Sequence, residues 1–171
     1  MSVGSLVMAR RSSGTPATDA LDRAGVAYTT HSYQHDPAAA SYGLEAAEQL
    51  GVDPSRVFKT LVVNTGEGLV TAVVPVEIQL DLKALAAACG VKKAAMATSQ
   101  DAERSTGMVV GGISPVGQRR RLPTVLDDSM CTQPTVFVSG GKRGFDIELG
   151  PVDLARITAG KVARIGTKPK L

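Results

Sequence analysis

The sequence predicts a single α+β domain built on a curled mixed β-sheet or barrel flanked by short helices. Three observations carry that prediction. Short segments of helical period interleave irregularly with β-rich runs, so the regular strand–helix alternation of a doubly wound sheet is missing. Residues 57–65 and 69–75 flank Gly66-Glu67-Gly68, the pattern of a β-hairpin. The length, 171 residues, with 43% hydrophobic and 20% charged side chains, is that of one globular domain. A chain of this size buries about 70% of the surface it exposes when unfolded, enough for a core without staples.

The elements follow in order. Residues 1–14 lack a sustained period and end in Ser-Ser-Gly, so they read as a flexible tail, with Met8 an alternative start. Thr15-Pro16 is a cap with proline in the first turn; Ala20, Leu21 and Ala24 recur at helical spacing before Gly25 stops the helix. Residues 26–33, rich in Val, Tyr and Thr, read as a strand that Asp36-Pro37 breaks. Residues 41–50 form a helix with Leu44, Ala47 and Leu50 on one face, closed by Gly51. After the hairpin, residues 81–89 are an Ala/Leu helix stopped by Gly90, residues 92–97 a short strand, and residues 99–105 a further helical turn. Residues 107–117 are dense in glycine. Three β-like runs follow at 123–126, 135–139 and 145–149, the last two joined by a Lys142-Arg143 turn between Gly140-Gly141 and Gly144. Residues 151–157 are a capped helix and 161–165 a last strand. The domain spans 15–166 and residues 167–171 are a C-terminal tail; there is no internal repeat and no linker.

Composition excludes several classes. Aromatics are 4% with no Trp, too few for a platform that stacks single-stranded bases. Two cysteines, Cys89 and Cys131, make neither a disulfide framework nor a metal cluster, and free thiols suit a reducing compartment. No apolar run approaches the roughly 18 residues of a membrane span. The N-terminus does not read as a signal peptide, because its arginines follow its short apolar stretch. The formal charge is +3 and the isoelectric point about 9.0, which points to an acidic partner. That charge is uneven: residues 15–91 hold four basic and nine acidic side chains, whereas residues 92–143 hold eight basic and four acidic. Lys92-Lys93, Arg119-Arg120-Arg121 and Lys142-Arg143 make up most of the basic segment. They are expected to meet nucleic-acid phosphates, against the alternative of a solvated charged loop.

Few positions stand out chemically. On a strand Lys59 shares its face with Val57, Leu61 and Val63, so it either serves a pocket or guards an edge strand. Gly111-Gly112 lets backbone N–H groups approach a ligand, although on pattern alone a tight turn is the favoured reading. Asp146 alternates with Phe145 and Ile147 and falls beside Glu148 on what reads as a solvated face. His31 and His35 have metal-like spacing only on a helix, and Pro37 argues against one, so no metal is assigned. Cys89 reads as a small core residue, Cys131 as part of a polar connection, and no Gly-x-Ser-x-Gly elbow supports a catalytic triad.

These features recur together in one family. The strings His31-Ser32-Tyr33-Gln34-His35-Asp36, Phe58-Lys59-Thr60-Leu61 and Gln79-Leu80-Asp81-Leu82-Lys83 resemble the YbaK/EbsC family of aminoacyl-tRNA deacylases. So do Arg104-Ser105-Thr106-Gly107, Gly111-Gly112-Ile113-Ser114-Pro115, Arg121-Leu122-Pro123-Thr124, Val138-Ser139-Gly140-Gly141-Lys142-Arg143-Gly144 and Asp146-Ile147-Glu148-Leu149. The resemblance implies a trans-editing hydrolase in the cytoplasm that clears cysteine from proline tRNA. A synthetase pocket separates near-isosteric amino acids by only about 1–3 kcal/mol, so a second hydrolytic site restores fidelity. It implies Lys59 and Asp146 as catalytic residues and Tyr33, Gly111, Gly112 and Ser139 as substrate-binding. It implies mischarged tRNA and prolyl-tRNA synthetase as partners, with no cofactor and no membrane. With no nucleophile or histidine base in the set, the substrate's own thiol is a candidate nucleophile, with water attack aided by the tRNA's terminal hydroxyl as the rival route. Removal of another amino acid such as alanine, or a noncatalytic tRNA- or synthetase-binding module, are the competing readings.

Overall fold

The computed structural model describes residues 14–167. Its elements begin where local signals put them. Helix α1 (Pro16–Ala24) is capped by Thr15, whose hydroxyl accepts from the Thr18 N–H at 3.2 Å while Thr18 returns the bond to the Thr15 N–H at 2.8 Å. The Thr15 hydroxyl also donates to the Gly140 carbonyl at 2.5 Å, tying the helix to a distant strand. Strand β1 (Thr29–Ser32) is shorter than the sequence suggests. Helix α2 (Tyr42–Leu50) is capped by Ser41 and stopped by Gly51 in the left-handed conformation. A 3-10 turn (Pro54–Arg56) leads into β2 (Phe58–Asn64) and β3 (Leu69–Pro75), the expected hairpin.

Then come β4 (Gln79–Leu80), α3 (Leu82–Cys89), β5 (Ala95–Met96) and α4 (Ser99–Thr106). After the glycine-dense loop follow β6 (Thr124–Asp127), β7 (Val136–Lys142) and β8 (Phe145–Leu149). The chain closes with α5 (Pro151–Thr158), β9 (Lys161–Ala163) and β10 (Gly166–Thr167).

Several details differ from the sequence reading. Leu44 is 46% exposed, and α2 buries Glu45, Ala46 and Ala47 instead, because the Glu45 carboxylate has backbone and imidazole partners. β7 runs through Gly140 and Gly141 to Lys142 by way of a register shift, so the turn is Arg143-Gly144. The cap of α5 is Gly150, which contributes no side chain. Thr167 pairs with Gln79, so the ordered fold extends one residue into the expected C-terminal tail. Residues 1–13 of the expected N-terminal tail and residues 168–171 lie outside the described residues.

The strands form a five-stranded mixed sheet, β5-β2-β3-β6-β9, a three-stranded sheet, β1-β8-β7, and the β10-β4 pair. β2–β3 and β2–β5 are antiparallel; β3–β6 and β6–β9 are parallel. An isolated parallel bridge, Val57 to Phe137, joins the two larger sheets, so the strands curl round a common interior. Leu21 of α1 and Leu154 of α5 pack there against Phe58, Val73, Val138 and Ile147. Each such buried side chain contributes about 2 kcal/mol. Helix α3 covers the other face of β2 and β3, through Leu85 against Val63, Ala72 and Val74.

Candidate active site

β3 pairs with β2 along its whole length. On its other side, among the described residues, β2 is held at its ends, by the Val57–Phe137 bridge and by Val63–Met96 of β5. Between those points the edge is open. The Val62 carbonyl turns to that side and accepts from the Ala97 N–H at 3.0 Å, so alternation places the Thr60 peptide groups on the open side as well. A cavity of about 380 Å³ lies along this gap. Its walls are α2, the start of α4, the glycine loop and the polar face of β7–β8. Of the residues singled out in sequence, it brings together Tyr33, Lys59, Gly111, Ser139 and Asp146.

Lys59 is half-buried, and burial holds its ammonium below the ordinary lysine range. Asp146 lies opposite Ser139 on β7 and His31 on β1. The alternation along β8 is as expected, with Phe145, Ile147 and Leu149 in the core. The solvated-face reading of the other side is not: Asp146 is 5% exposed, because α2 and β2 close over that side. Burial raises its carboxyl to about 7. No ion pair within 4.0 Å joins Asp146 to Lys59 among the described residues. Burial, then the charges of Asp146 and Glu45, push the half-buried Tyr33 phenol up to about 12, so it is a neutral donor at physiological pH. The Ser139 hydroxyl accepts from the Gly141 N–H at 3.2 Å and so fixes the irregular end of β7.

Glu148 sits two residues along from Asp146, on the same face. It accepts from His31 at 2.9 Å and from the Thr135 hydroxyl at 2.5 Å, and the Arg56 guanidinium lies 3.6 Å away. Burial alone would raise its carboxyl; these bonds and charges outweigh that and hold it below the usual range. His35 pairs with Glu45 at 2.8 Å. The two histidines thus serve different carboxylates.

The glycine pair divides into two roles. Gly111 lines the cavity at φ +91°, and a Cβ there would meet the Tyr42 ring at 2.7 Å. Its N–H has no partner among the described residues. Gly112, expected as a second donor, gives its N–H to the Val109 carbonyl at 2.8 Å. A Cβ on Gly112 would strike the backbone of Lys142 and Arg143 at 2.6–2.8 Å, so this glycine packs the loop onto β7 and the turn after it.

The basic residues expected to meet phosphates do not line the cavity. Arg119, Arg120 and Arg121 are exposed, none lines it, and Arg121 donates to the Ile157 carbonyl at 3.2 Å beside a second cavity. Arg143 donates to the Val110 carbonyl at 2.9 Å and lies over the Tyr42 ring, bracing the glycine loop. Lys142 lies over Phe145. Cys89 and Cys131 are also away from the cavity. Sequence reasoning missed Thr60, whose hydroxyl is buried without a partner among the described residues and whose side chain lines the cavity. It also missed Glu45, which accepts from the Asp36 N–H at 2.6 Å and so holds the Tyr33 segment in place. Thr60 stood in a quoted motif, but a threonine on a strand carries no signal of its own.

The molecule is an α+β domain with its cavity between the two larger sheets. The chain superposes on a solved structure described as "a putative trans-editing enzyme for prolyl tRNA synthetase", with TM-score 0.77, 26% identity, and coverage of 89% of this chain and 95% of that one. It also superposes on "hypothetical protein APE2540", with TM-score 0.81, 25% identity, and coverage of 90% and 100%. The chain belongs to the aminoacyl-tRNA editing domain family, whose model matches residues 36–157. It is 45% identical over 123 residues, 71% of this chain and 75% of the relative, to "Putative Cys-tRNA(Pro)/Cys-tRNA(Cys) deacylase EbsC" of Enterococcus faecalis (strain ATCC 700802 / V583). It is 32% identical over 119 residues, 69% and 75%, to "Uncharacterized protein YwhH" of Bacillus subtilis (strain 168). The fold class and the family expected from the sequence are both borne out. No helix among the described residues is long and apolar enough to cross a membrane.

Proposed function

We propose that the cavity receives the aminoacyl ester at the 3′ end of a mischarged tRNA and cleaves it, and that cysteine on proline tRNA is the substrate. One observation carries this most directly: an editing-domain chain, similar to a protein named as a Cys-tRNA deacylase, has in one small cavity the cation Lys59 and a buried Asp146 that is unpaired among the described residues. The substrate's α-amino group is an ammonium. It supplies the charge that Asp146 lacks, and its arrival draws the carboxyl down from about 7. Lys59 faces the ester or its adjoining phosphate, and the Gly111 N–H, which lines the cavity without a partner among the described residues, is the proposed donor to the carbonyl oxygen as negative charge develops there. Tyr33 and Ser139 shape the wall.

Neither histidine nor either cysteine lines the cavity. In this reading the substrate supplies the nucleophile, with water attack aided by the tRNA's terminal hydroxyl as the rival route: the substrate's thiol sulfur bonds to its own carbonyl carbon, the ester C–O bond breaks, and the thiol proton passes to the departing ribose oxygen. Water then opens the strained thiolactone. Good orientation of such an intramolecular attack is worth about 7–11 kcal/mol of barrier. Deacylation of tRNA carrying cysteine, serine or alanine tests this. Cysteine is expected to be cleaved at least tenfold faster, and equal rates for all three would remove the thiol from the mechanism. Repeating the panel with prolyl-tRNA synthetase tests whether a complex presents the tRNA. The work is placed in the cytoplasm, where tRNAs are charged.

A further inference from the structure

We infer that a groove lined by Lys83, Lys92 and Lys93 carries the phosphates of the tRNA's terminal strand into the cavity. This deepens the proposed function by naming how the same site holds its polynucleotide. A cavity of about 380 Å³ encloses an amino acid and part of a ribose, so the phosphates of the preceding nucleotides must cross its rim. Adjoining it is a larger groove of about 660 Å³, between the tip of the β2–β3 hairpin, the first turns of α3 and residues 92–96. Its three lysines are all exposed, and none is in an ion pair among the described residues. No acidic residue lines it; Glu67 and Asp81, the nearest acids along the chain, are outside the lining. Asn64 and Thr65 add neutral polar groups at its edge.

Met96 joins the two. It lines both cavity and groove and is 50% exposed, which gives an apolar ledge where a base can lie as its phosphate passes to the lysines. The other basic residues are less well placed. Arg143 is spent on the Val110 carbonyl and the Tyr42 ring, Arg121 is beside a different cavity, and neither Arg119 nor Arg120 lines the site. The local charge excess read from residues 92–143 thus acts at its first two residues, together with Lys83 from a segment that is acidic as a whole.

The test measures binding of an uncharged proline tRNA transcript to the full chain between 50 and 200 mM salt, beside hydrolysis of cysteinyl-tRNA. The triple variant Lys83→Ser, Lys92→Ser, Lys93→Ser is compared with Arg119→Ser, Arg120→Ser, Arg121→Ser. Loss of three phosphate contacts flattens the slope of log K against log salt by about two to three and weakens binding roughly tenfold or more. The arginine variant keeps the wild-type slope, and replacing the same three lysines by arginine restores it. Melting temperatures check that the exposed substitutions leave the fold intact. A lysine variant with wild-type slope and affinity overturns the inference, as does a loss confined to the arginine variant, or a wild-type chain that binds no tRNA. A lysine-dependent slope in a chain that hydrolyses no aminoacyl-tRNA supports the groove and overturns the deacylase reading instead. Hydrolysis with a lysine-independent slope does the reverse.

Discussion

Asp146 and Glu148 stand two residues apart on one face of β8, and the fold treats them oppositely. Glu148 receives a histidine, a threonine hydroxyl and a nearby guanidinium, and its carboxyl is held low. Asp146 is more deeply buried, has no cation at 4.0 Å or less among the described residues, and is raised to about 7. This strand is evidently able to satisfy a carboxylate. A carboxyl left without a cation beside a cavity fits the proposed place for the substrate's ammonium.

That comparison can be broken in four ways. The largest effect is on catalysis: Asp146→Asn lowers kcat/KM for cysteinyl-tRNA by about 10²–10³, the scale for losing a group that holds the reacting centre. Steady-state rates decide it, and a loss under threefold would make Asp146 structural. The same substitution has the opposite effect on stability. Because the folded-state pKa of Asp146 is raised, its favourable contribution is fully present below the unfolded value of 3.8 and is lost as pH rises through about 7. Asp146→Asn is therefore more stable than wild type at pH 8, with a ceiling of about 4 kcal/mol, and the gain shrinks towards pH 4. Denaturant melts across that range read it directly.

Glu148→Gln gives the mirror image. Its folded pKa is depressed, so its stabilisation is present above the unfolded value of 4.5 and is lost as pH falls through the folded one. The variant is weaker by about 1–2 kcal/mol at pH 7, and the deficit closes in acid. A pH-independent deficit would mean packing, not charge. The smallest effect belongs to Thr60→Val, which removes a buried hydroxyl that has no partner among the described residues. The variant is more stable by about 1 kcal/mol. If it is less stable instead, the hydroxyl has a partner in solution, and a water in the cavity is the first candidate.

What could be read from the sequence was local. Thr15, Ser41 and Asp81 in front of helices, and Gly25, Gly51 and Gly90 behind them, set boundaries to within a residue or two because caps act within one turn. The β2–β3 hairpin was readable because both partners and their turn are contiguous. Lys59 was visible as a cation on an apolar strand face. What escaped depends on distant chain. Alternation gives β8 two faces but cannot say that α2 and β2 will close over the one bearing Asp146. Gly112 is required by backbone some thirty residues away. The parallel β3–β6 pairing crosses the whole segment that holds the glycine loop, and β4 and β10 are two residues each, too short for any period to show.

The Val57–Phe137 bridge bears on the order in which the molecule assembles. The β2–β3 and β7–β8 hairpins close over residues 65–68 and 143–144, so each can form early from its own segment. Lys59 belongs to the first and Asp146 to the second. Neither hairpin alone holds a site; the cavity exists once the two have docked, a slow, long-range step. Hydrogen exchange at the β2–β3 and β7–β8 amides should therefore report protection earlier in refolding than the first appearance of deacylation, and simultaneous onset would show that folding and site formation are one event.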